Sequence, residues 1–221
     1  ASGAVVETLK SVTLEANKTS NAITGNAIDT LTLKNQTVAA TTTITNNKST
    51  ALTVNLNNVN TNTSTVAAGS KAETITINSN GAKANDLILV AGAGKTLNIA
   101  GDAEFTLLGA TPTTITDIVS TNSKGVTITD ALDIDVKFTG GAGDDNVKLT
   151  GPFEKAINMG AGDDTVTYAA ASTVEGKVGS VDAGADKDTI IMTSAQAVTA
   201  SADNVFNTAF KNFEVLVISD A

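Results

Sequence analysis

Two stretches of the chain place glycine and aspartate at spacings suited to an oxygen-coordinated cation. Residues 140–148 read Gly-Gly-Ala-Gly-Asp-Asp-Asn-Val-Lys, and residues 159–167 read Met-Gly-Ala-Gly-Asp-Asp-Thr-Val-Thr. Both follow the nine-residue pattern G-G-x-G-x-D-x-(apolar)-x, the second with Met159 at its first position. Glycines such as Gly141, Gly143, Gly160 and Gly162 permit tight, positive-φ turns that direct main-chain carbonyls toward a common point. Asp145 and Asp164 stand sixth in the pattern and add a hard anionic oxygen just before a strand. Asp144 and Asp163 put a second acid beside each. Carbonyl and carboxylate oxygens, about six to eight together, are the shell that Ca²⁺ prefers.

The spacing strengthens the expectation. Asp145 and Asp164 are nineteen residues apart, close to one full coil made of two nine-residue halves. They should therefore stack on one edge of adjacent coils. Without a cation, each close carboxylate pair at ~4 Å costs on the order of 4 kcal/mol at an effective dielectric of ~20. An ion between coils reverses that sign and couples binding to folding. A degenerate third copy, Asp182-Ala-Gly-Ala-Asp186-Lys-Asp188, puts Asp188 sixth and Asp186 where glycine belongs. It is a candidate for a further ion shared with the Asp163/Asp164 turn. The opposite edge, at residues 151–155, lacks the pattern, so ions are expected along one edge only. Asp133 and Asp135 alternate onto one strand face and read as solvated acids.

Composition narrows the chemistry. The 221 residues contain no Cys and no His, and every cationic side chain is Lys. Most zinc sites, Ser-His and Cys-His nucleophile systems and disulfides are thereby excluded. Without Arg and at net charge −9, the chain is a poor ligand for nucleic acid or anionic lipid. No apolar run approaches the ~18 residues of a membrane span, so no transmembrane segment is expected. The chain begins at Ala1 with no signal segment and reads as a piece of something larger or a processed product. Residues 1–129 hold eight Lys and eight acids. Residues 130–221 hold six Lys and fifteen acids, and so carry the whole net charge.

The elements that must position these turns are strands. Alternating segments at Thr30, Leu52, Thr74 and Thr96 recur about 22 residues apart, with apolar patches midway at Ile44, Val66, Ile88 and Leu107. Beyond them Val126, Val136, Val147, Ile157 and Val166 follow at nine to eleven residues. Short strands separated by short turns, two per coil, predict an all-β parallel β-solenoid or β-roll. Residues 1–129 form a Thr/Asn-rich repeat segment and residues 130–221 an acidic calcium-binding segment, expected as one continuous stack. An antiparallel sandwich is the alternative, but Asp-Gly is absent and Asn-Gly occurs once, at Asn80-Gly81. A local helix is plausible only around residues 201–210. Residues 92–96 (Gly-Ala-Gly-Lys-Thr) imitate a phosphate loop but have Leu89 where glycine is required, and read as a strand turn. The Thr runs suggest an ice-binding ladder, but the rungs are too irregular to match a lattice.

Residues 138–145 and 155–167, together with Phe210-Lys-Asn-Phe-Glu-Val-Leu-Val-Ile218, resemble the RTX-bearing surface-layer proteins of Gram-negative bacteria. The resemblance covers roughly residues 136–218. It implies export by type I secretion and folding on meeting external calcium. It also implies self-association into a cell-surface lattice on lipopolysaccharide, held through other parts of the parent protein. By position, Asp145 and Asp164 would be ion ligands, with carbonyls of the surrounding glycines. An alternative is a calcium-binding accessory domain of a secreted RTX enzyme or adhesin, with catalytic residues elsewhere, since no H-E-x-x-H or G-x-S-x-G occurs here. A polysaccharide-active solenoid would need aromatic sugar platforms, and the chain has one Tyr and no Trp. The expected role is therefore structural and not enzymatic.

Overall fold

The computed structural model describes residues 8–46, 48–151, 153–169 and 179–220. The chain winds as a parallel β-solenoid with two sheets of ten strands each, filled by alternate strands in chain order. The first sheet runs β1 (Ser11–Glu15), β3 (Thr30–Lys34), β5 (Ala51–Asn57), β7 (Thr74–Asn80) and β9 (Thr96–Gly101). It continues through β11 (Asp117–Ser120), β13 (Lys137–Thr139), β15 (Ile157–Asn158), β17 (Val181–Asp182) and β19 (Phe210–Lys211). The second sheet runs β2 (Asn21–Thr24), β4 (Thr41–Thr45), β6 (Thr65–Ala68), β8 (Asn85–Ala91) and β10 (Phe105–Leu108). It ends with β12 (Val126–Ala131), β14 (Asn146–Leu149), β16 (Thr165–Tyr168), β18 (Thr189–Met192) and β20 (Val215–Ile218).

Parallel pairing fits the sequence because both faces of each coil meet the same positions on its neighbours. Thr53 pairs with Thr76 and Val54 with Ile77, while Asp145 and Asp164 fall just before the paired Asn146 and Thr165. Strand side chains alternate between faces, and β7 alternates half-buried Thr and Asn with buried Ile and Ser. The inward rows form one core between the sheets, with Phe105 and Phe138 its largest fully buried side chains. The outward rows are Thr and Asn ladders; Asn78 Nδ2 donates to Asn55 Oδ1 at 2.8 Å. As the sequence implied, residues 92–95 form the turn between β8 and β9.

Two expectations need correction. Asp133 and Asp135 do not lie on a strand. Chain pairing ends at Ala131, and both are exposed in the turn before β13, where Val136 N donates to Asp133 O at 3.1 Å. The alternation of Leu132, Ile134 and Val136 suggested a strand, yet Ile134 is 45% exposed. The helix expected at residues 201–210 is two helices, α1 (Ser194–Ser201) and α2 (Asn204–Ala209). Thr193 and Gln196 form a capping box at the start of α1. Asp203 caps α2 by accepting from Val205 N and Phe206 N, which divides the two. They carry Phe206 onto Phe210 in a stacked pair 4.1 Å apart, next to Tyr168. Five of the seven aromatic residues thus gather at the C-terminal coils.

If the inward rows carry the stability, Phe138→Ala should lower the unfolding free energy by about 3–5 kcal/mol. Thr41→Ala, on an exposed outward position, should stay within about 0.5 kcal/mol. Urea denaturation followed by circular dichroism compares the two, and equal effects would refute the packing assignment.

Candidate metal centre

The four connections from β13 to β14, β15 to β16, β17 to β18 and β19 to β20 all lie at the same corner of the solenoid, where the first sheet passes to the second. Consecutive turns stack through the main chain. Ala161 N donates to Gly141 O at 2.9 Å and Ala185 N to Gly160 O at 3.0 Å. Gly160 and Gly162 take φ of +107° and +117°, values that side chains disfavour. Asp186, standing where the pattern has glycine, keeps that backbone form at φ +88°. The first turn differs, because Gly141 and Gly143 do not adopt positive φ. Close approach is what requires glycine there, since a side chain at Gly143 would overlap the backbone of Lys124 and Gly125.

Stacking converts the sixth-position acids into a column. Asp145, Asp164 and Asp188 are buried, at 1%, 0% and 0% exposure. Each accepts the N–H of the same position one coil earlier. Val126 N donates to Asp145 Oδ1 at 2.7 Å, Asp145 N to Asp164 Oδ1 at 2.7 Å, and Asp164 N to Asp188 Oδ1 at 2.9 Å. Glu214 continues the series, accepting from Asp188 N at 2.8 Å. Glu214 is the residue that sequence reasoning missed. Its signal was an acid directly before the alternating run of β20, at the place Asp188 holds before β18.

Asp144, Asp163 and Asp186 form an exposed outer set. Here the bonding runs the other way for two of them: Asp163 N donates to Asp144 Oδ1 at 2.9 Å and Lys187 N to Asp163 Oδ1 at 3.1 Å. Asp186 Oδ2 accepts from Gly162 N at 3.2 Å. Asp182 joins neither column. It ends β17, and its carboxylate accepts from Asn212 Nδ2 at 2.7 Å. Beside the outer set a groove of about 270 Å³ opens on the second sheet, lined in part by Glu104, Lys124, Asp144 and Asp163.

The inner column is electrostatically frustrated. Burial pushes Asp145 up to about 6 and Asp164 up to about 8, with neighbouring carboxylates adding to both shifts. Burial likewise raises Asp188, helped by Glu214 and Asp163. Asp164 Oδ2 and Asp188 Oδ2 are buried and accept no hydrogen bond. A carboxylate is acceptor-only, so an unpaired buried oxygen is costly. Asp86 shows that burial alone is not the signal. It is 4% exposed, yet Thr61 N and Asn62 N cover both its oxygens at 3.0–3.1 Å.

The donors at this corner suit a hard cation. A side chain at Gly140 would collide with both Met159 O and the Asp145 carboxylate, so carbonyl and carboxylate oxygens face one small space. At Gly162 the same position lies 2.9 Å from Gly143 O and 3.0 Å from Asp144 Oδ1. Among the described residues, no three acidic side chains converge closely enough to hold a metal alone. A cation here would therefore complete its shell with main-chain carbonyls, as oxygen-rich calcium sites do. The chain matches no protein-family model, and no curated protein matches it.

The raised carboxylates make a signed prediction for the metal-free chain. Their folded values lie above the ordinary 3.8, so the neutral forms contribute stability that is complete below about 4 and lost as pH rises toward about 8. In EDTA, the Tm should rise as pH falls from ~9 to ~5. Asp164→Asn, which mimics the neutral acid, should reduce that slope. Thermal melts across pH test this, and an unchanged slope in Asp164→Asn would contradict it.

Proposed function

We propose that this chain is a calcium-gated structural module of a bacterial cell-surface layer, folding and associating outside the cell when calcium is present. The observation that carries the reading is the column of buried carboxylates at positions 145, 164 and 188, two of which keep an unpartnered oxygen. Such a column costs free energy in every coil it crosses, and a divalent cation between coils offsets that cost. The residues that would hold the ions are Asp145, Asp164 and Asp188, with Asp144, Asp163 and carbonyls of Gly140, Gly141, Gly143, Met159 and Gly160. Glu214 would close the column at its end. Calcium supplies charge neutralisation and cross-linking of coils, which is a folding role.

Composition supports a structural use over a catalytic one. With no His, Cys or Arg, the chain is built from Thr, Asn and aliphatic residues suited to stacking. The resemblance of residues 136–218 to RTX-bearing surface-layer proteins supports type I secretion, a lattice of self-associated copies and a lipopolysaccharide surface beneath it. Among the described residues no helix is long and apolar enough to cross a membrane, and the acidic charge argues against nucleic acid as a partner.

Circular dichroism and light scattering in EDTA, then through a calcium titration, test the reading. Extracellular calcium modules bind with Kd near 10⁻⁴–10⁻³ M, roughly. At ~100-fold excess over Kd each ion should add about 2.7 kcal/mol to unfolding. The double variant Asp145→Ala/Asp164→Ala should lose that gain, and Mg²⁺ should not replace Ca²⁺ because it demands a small octahedral shell. Equal stability in EDTA and in calcium would overturn the proposal.

A further inference from the structure

The two sheets differ in what they present to the outside. In the first sheet, β5 and β7 carry Thr and Asn at every outward position but Ala51. In the second sheet, β8 breaks that alternation. Its run Leu87-Ile-Leu-Val-Ala91 is apolar at inward and outward positions alike. Leu87, Leu89 and Ala91 fill the core, while Ile88 is half-buried and Val90 is 52% exposed. The neighbouring strands extend the outer patch. Leu108 of β10 is in register with Ile88, and Ala67 of β6 with Val90. A strand reads as a continuous apolar run when both of its faces are covered, and alternates when one faces water. β8 has a sequence of the first kind, and the exposure of Val90 shows one of its faces open.

The face around this patch carries no free charge. β2, β4, β6, β8 and β10 contain a single charged residue, Asp86. It is buried, with both oxygens accepting backbone N–H groups. The other outward positions are small or β-branched, such as Thr43 beside Ala67 and Thr65 beside Ile88. Depletion of charge, more than bulk apolarity, is what distinguishes the core of a protein interface. The chain has a net charge of −9, so two copies repel one another. An uncharged face is where they can approach with the least repulsion.

We infer that the outer face of the second sheet, from β2 to β10, docks the same face of a second copy of this chain, with β8 against β8. Side chains on a parallel stack form rows that repeat every ~4.8 Å. A partner with the same repeat meshes with those rows along the whole face, and a second copy has it necessarily. A two-fold axis lying along the solenoid meets the remaining constraints. It sets each coil against the same coil of the other copy, so the Ile88 and Val90 rows meet at the ~10 Å separation of packed sheets. It also reverses strand direction across the contact, which sends the two acidic corners with Asp144 and Asp163 to opposite edges. Five strands of about five residues make a face on the order of 400 Å² per copy. That is the small end for specific interfaces, where association is weak and reversible. The contact is lateral and uses neither end of the stack. It names a surface for the self-association proposed above and rests on that reading only for the idea that copies associate.

The test is sedimentation velocity of the full chain at one fixed calcium concentration, over a protein concentration series. The wild type should pass from monomer to dimer. Ile88→Lys/Val90→Lys should weaken that step at least tenfold, while Thr53→Lys/Thr76→Lys on the first sheet should leave it unchanged. Circular dichroism checks folding, and Ile88→Thr/Val90→Thr, which copies the Thr rungs of β4, replaces the Lys pair if that one unfolds. Added salt should strengthen wild-type pairing by screening the like net charges, where an ion-paired contact would weaken. The chain has no Cys, so Val90→Cys supplies a single reporter. A short bis-maleimide should join two Val90→Cys copies and leave Thr76→Cys copies separate. A wild type that stays monomeric at every concentration overturns the inference. So do dimers indifferent to Ile88 and Val90, pairing that salt weakens, or dimers in which Val90→Cys is not joined. Stability that follows calcium in a chain that never pairs would keep the calcium reading and remove this one. Pairing through β8 that is equal in EDTA and in calcium would support this inference and tell against calcium-gated assembly.

Discussion

In a parallel solenoid each side chain has its neighbours chosen for it: the residue at the same position one coil before and the residue one coil after. The hydrogen bonds of the ladder hold that register across ~4.8 Å steps, so whatever chemistry a position carries is repeated along the stack. Apolar rows gain from this, because each adds contact area to the next. Thr and Asn rows gain as well, since a hydroxyl or amide can donate to one neighbour and accept from another. A row of carboxylates has only acceptors and like charges, and stacking penalises it.

A single position shows the change of regime. Asn85, Phe105 and Val126 pair in sequence at the corner where the first sheet passes to the second, and Asp145, Asp164, Asp188 and Glu214 follow in the same row. Asn85 is complete within the protein: its Oδ1 accepts from Val59 N, and its amide donates to Ser79 Oγ and Asn80 O. Asn122, at the same corner, accepts from Lys124 N and Gly125 N and donates to Ala103 O. The carboxylates that follow borrow one backbone N–H apiece from the coil before; Asp145 also accepts from Gly141 N at 3.4 Å, whereas Asp164 and Asp188 each keep a second oxygen unpaired.

Much of this was legible in the residues. The 22-residue recurrence and the later steps of nine to eleven residues gave the coils, and the paired Gly-Asp stretches gave the corner and the stacking of Asp145 on Asp164. What escaped was the part that only register reveals. Glu214 sits in a turn without glycine, so no pattern marks it, yet the strand after it sets it beneath Asp188. Asp182 looked like part of a turn, but β17 includes it, and its partner is an asparagine thirty residues on. Asp133 and Asp135 alternated like a strand because Leu132, Ile134 and Val136 alternate around them. Pairing had already ended at Ala131, and alternation without a partner strand makes no sheet. Asp186 is the reverse case. Its backbone shows that a position can keep the left-handed form without glycine when the flanking turns are stacked on both sides.

The position of the acid row within the chain then bears on how the molecule holds together. Stability in a stacked fold is close to a sum of coil terms and nearest-neighbour terms, so an unfavourable row weakens only the junctions it crosses. Those junctions are the last few, beyond the coils closed by Asn85 and Asn122. The same last coils gather five of the seven aromatic residues, with Phe206 and Phe210 stacked under α2 and Phe153 edge-on to Phe210. Aromatic packing at the opposite corner thus adds apolar contact to the same coils that carry the carboxylates. On the proposed reading, an ion held between these coils with a Kd near 10⁻⁴–10⁻³ M would add roughly 0.4–1.4 kcal/mol at ~1 mM.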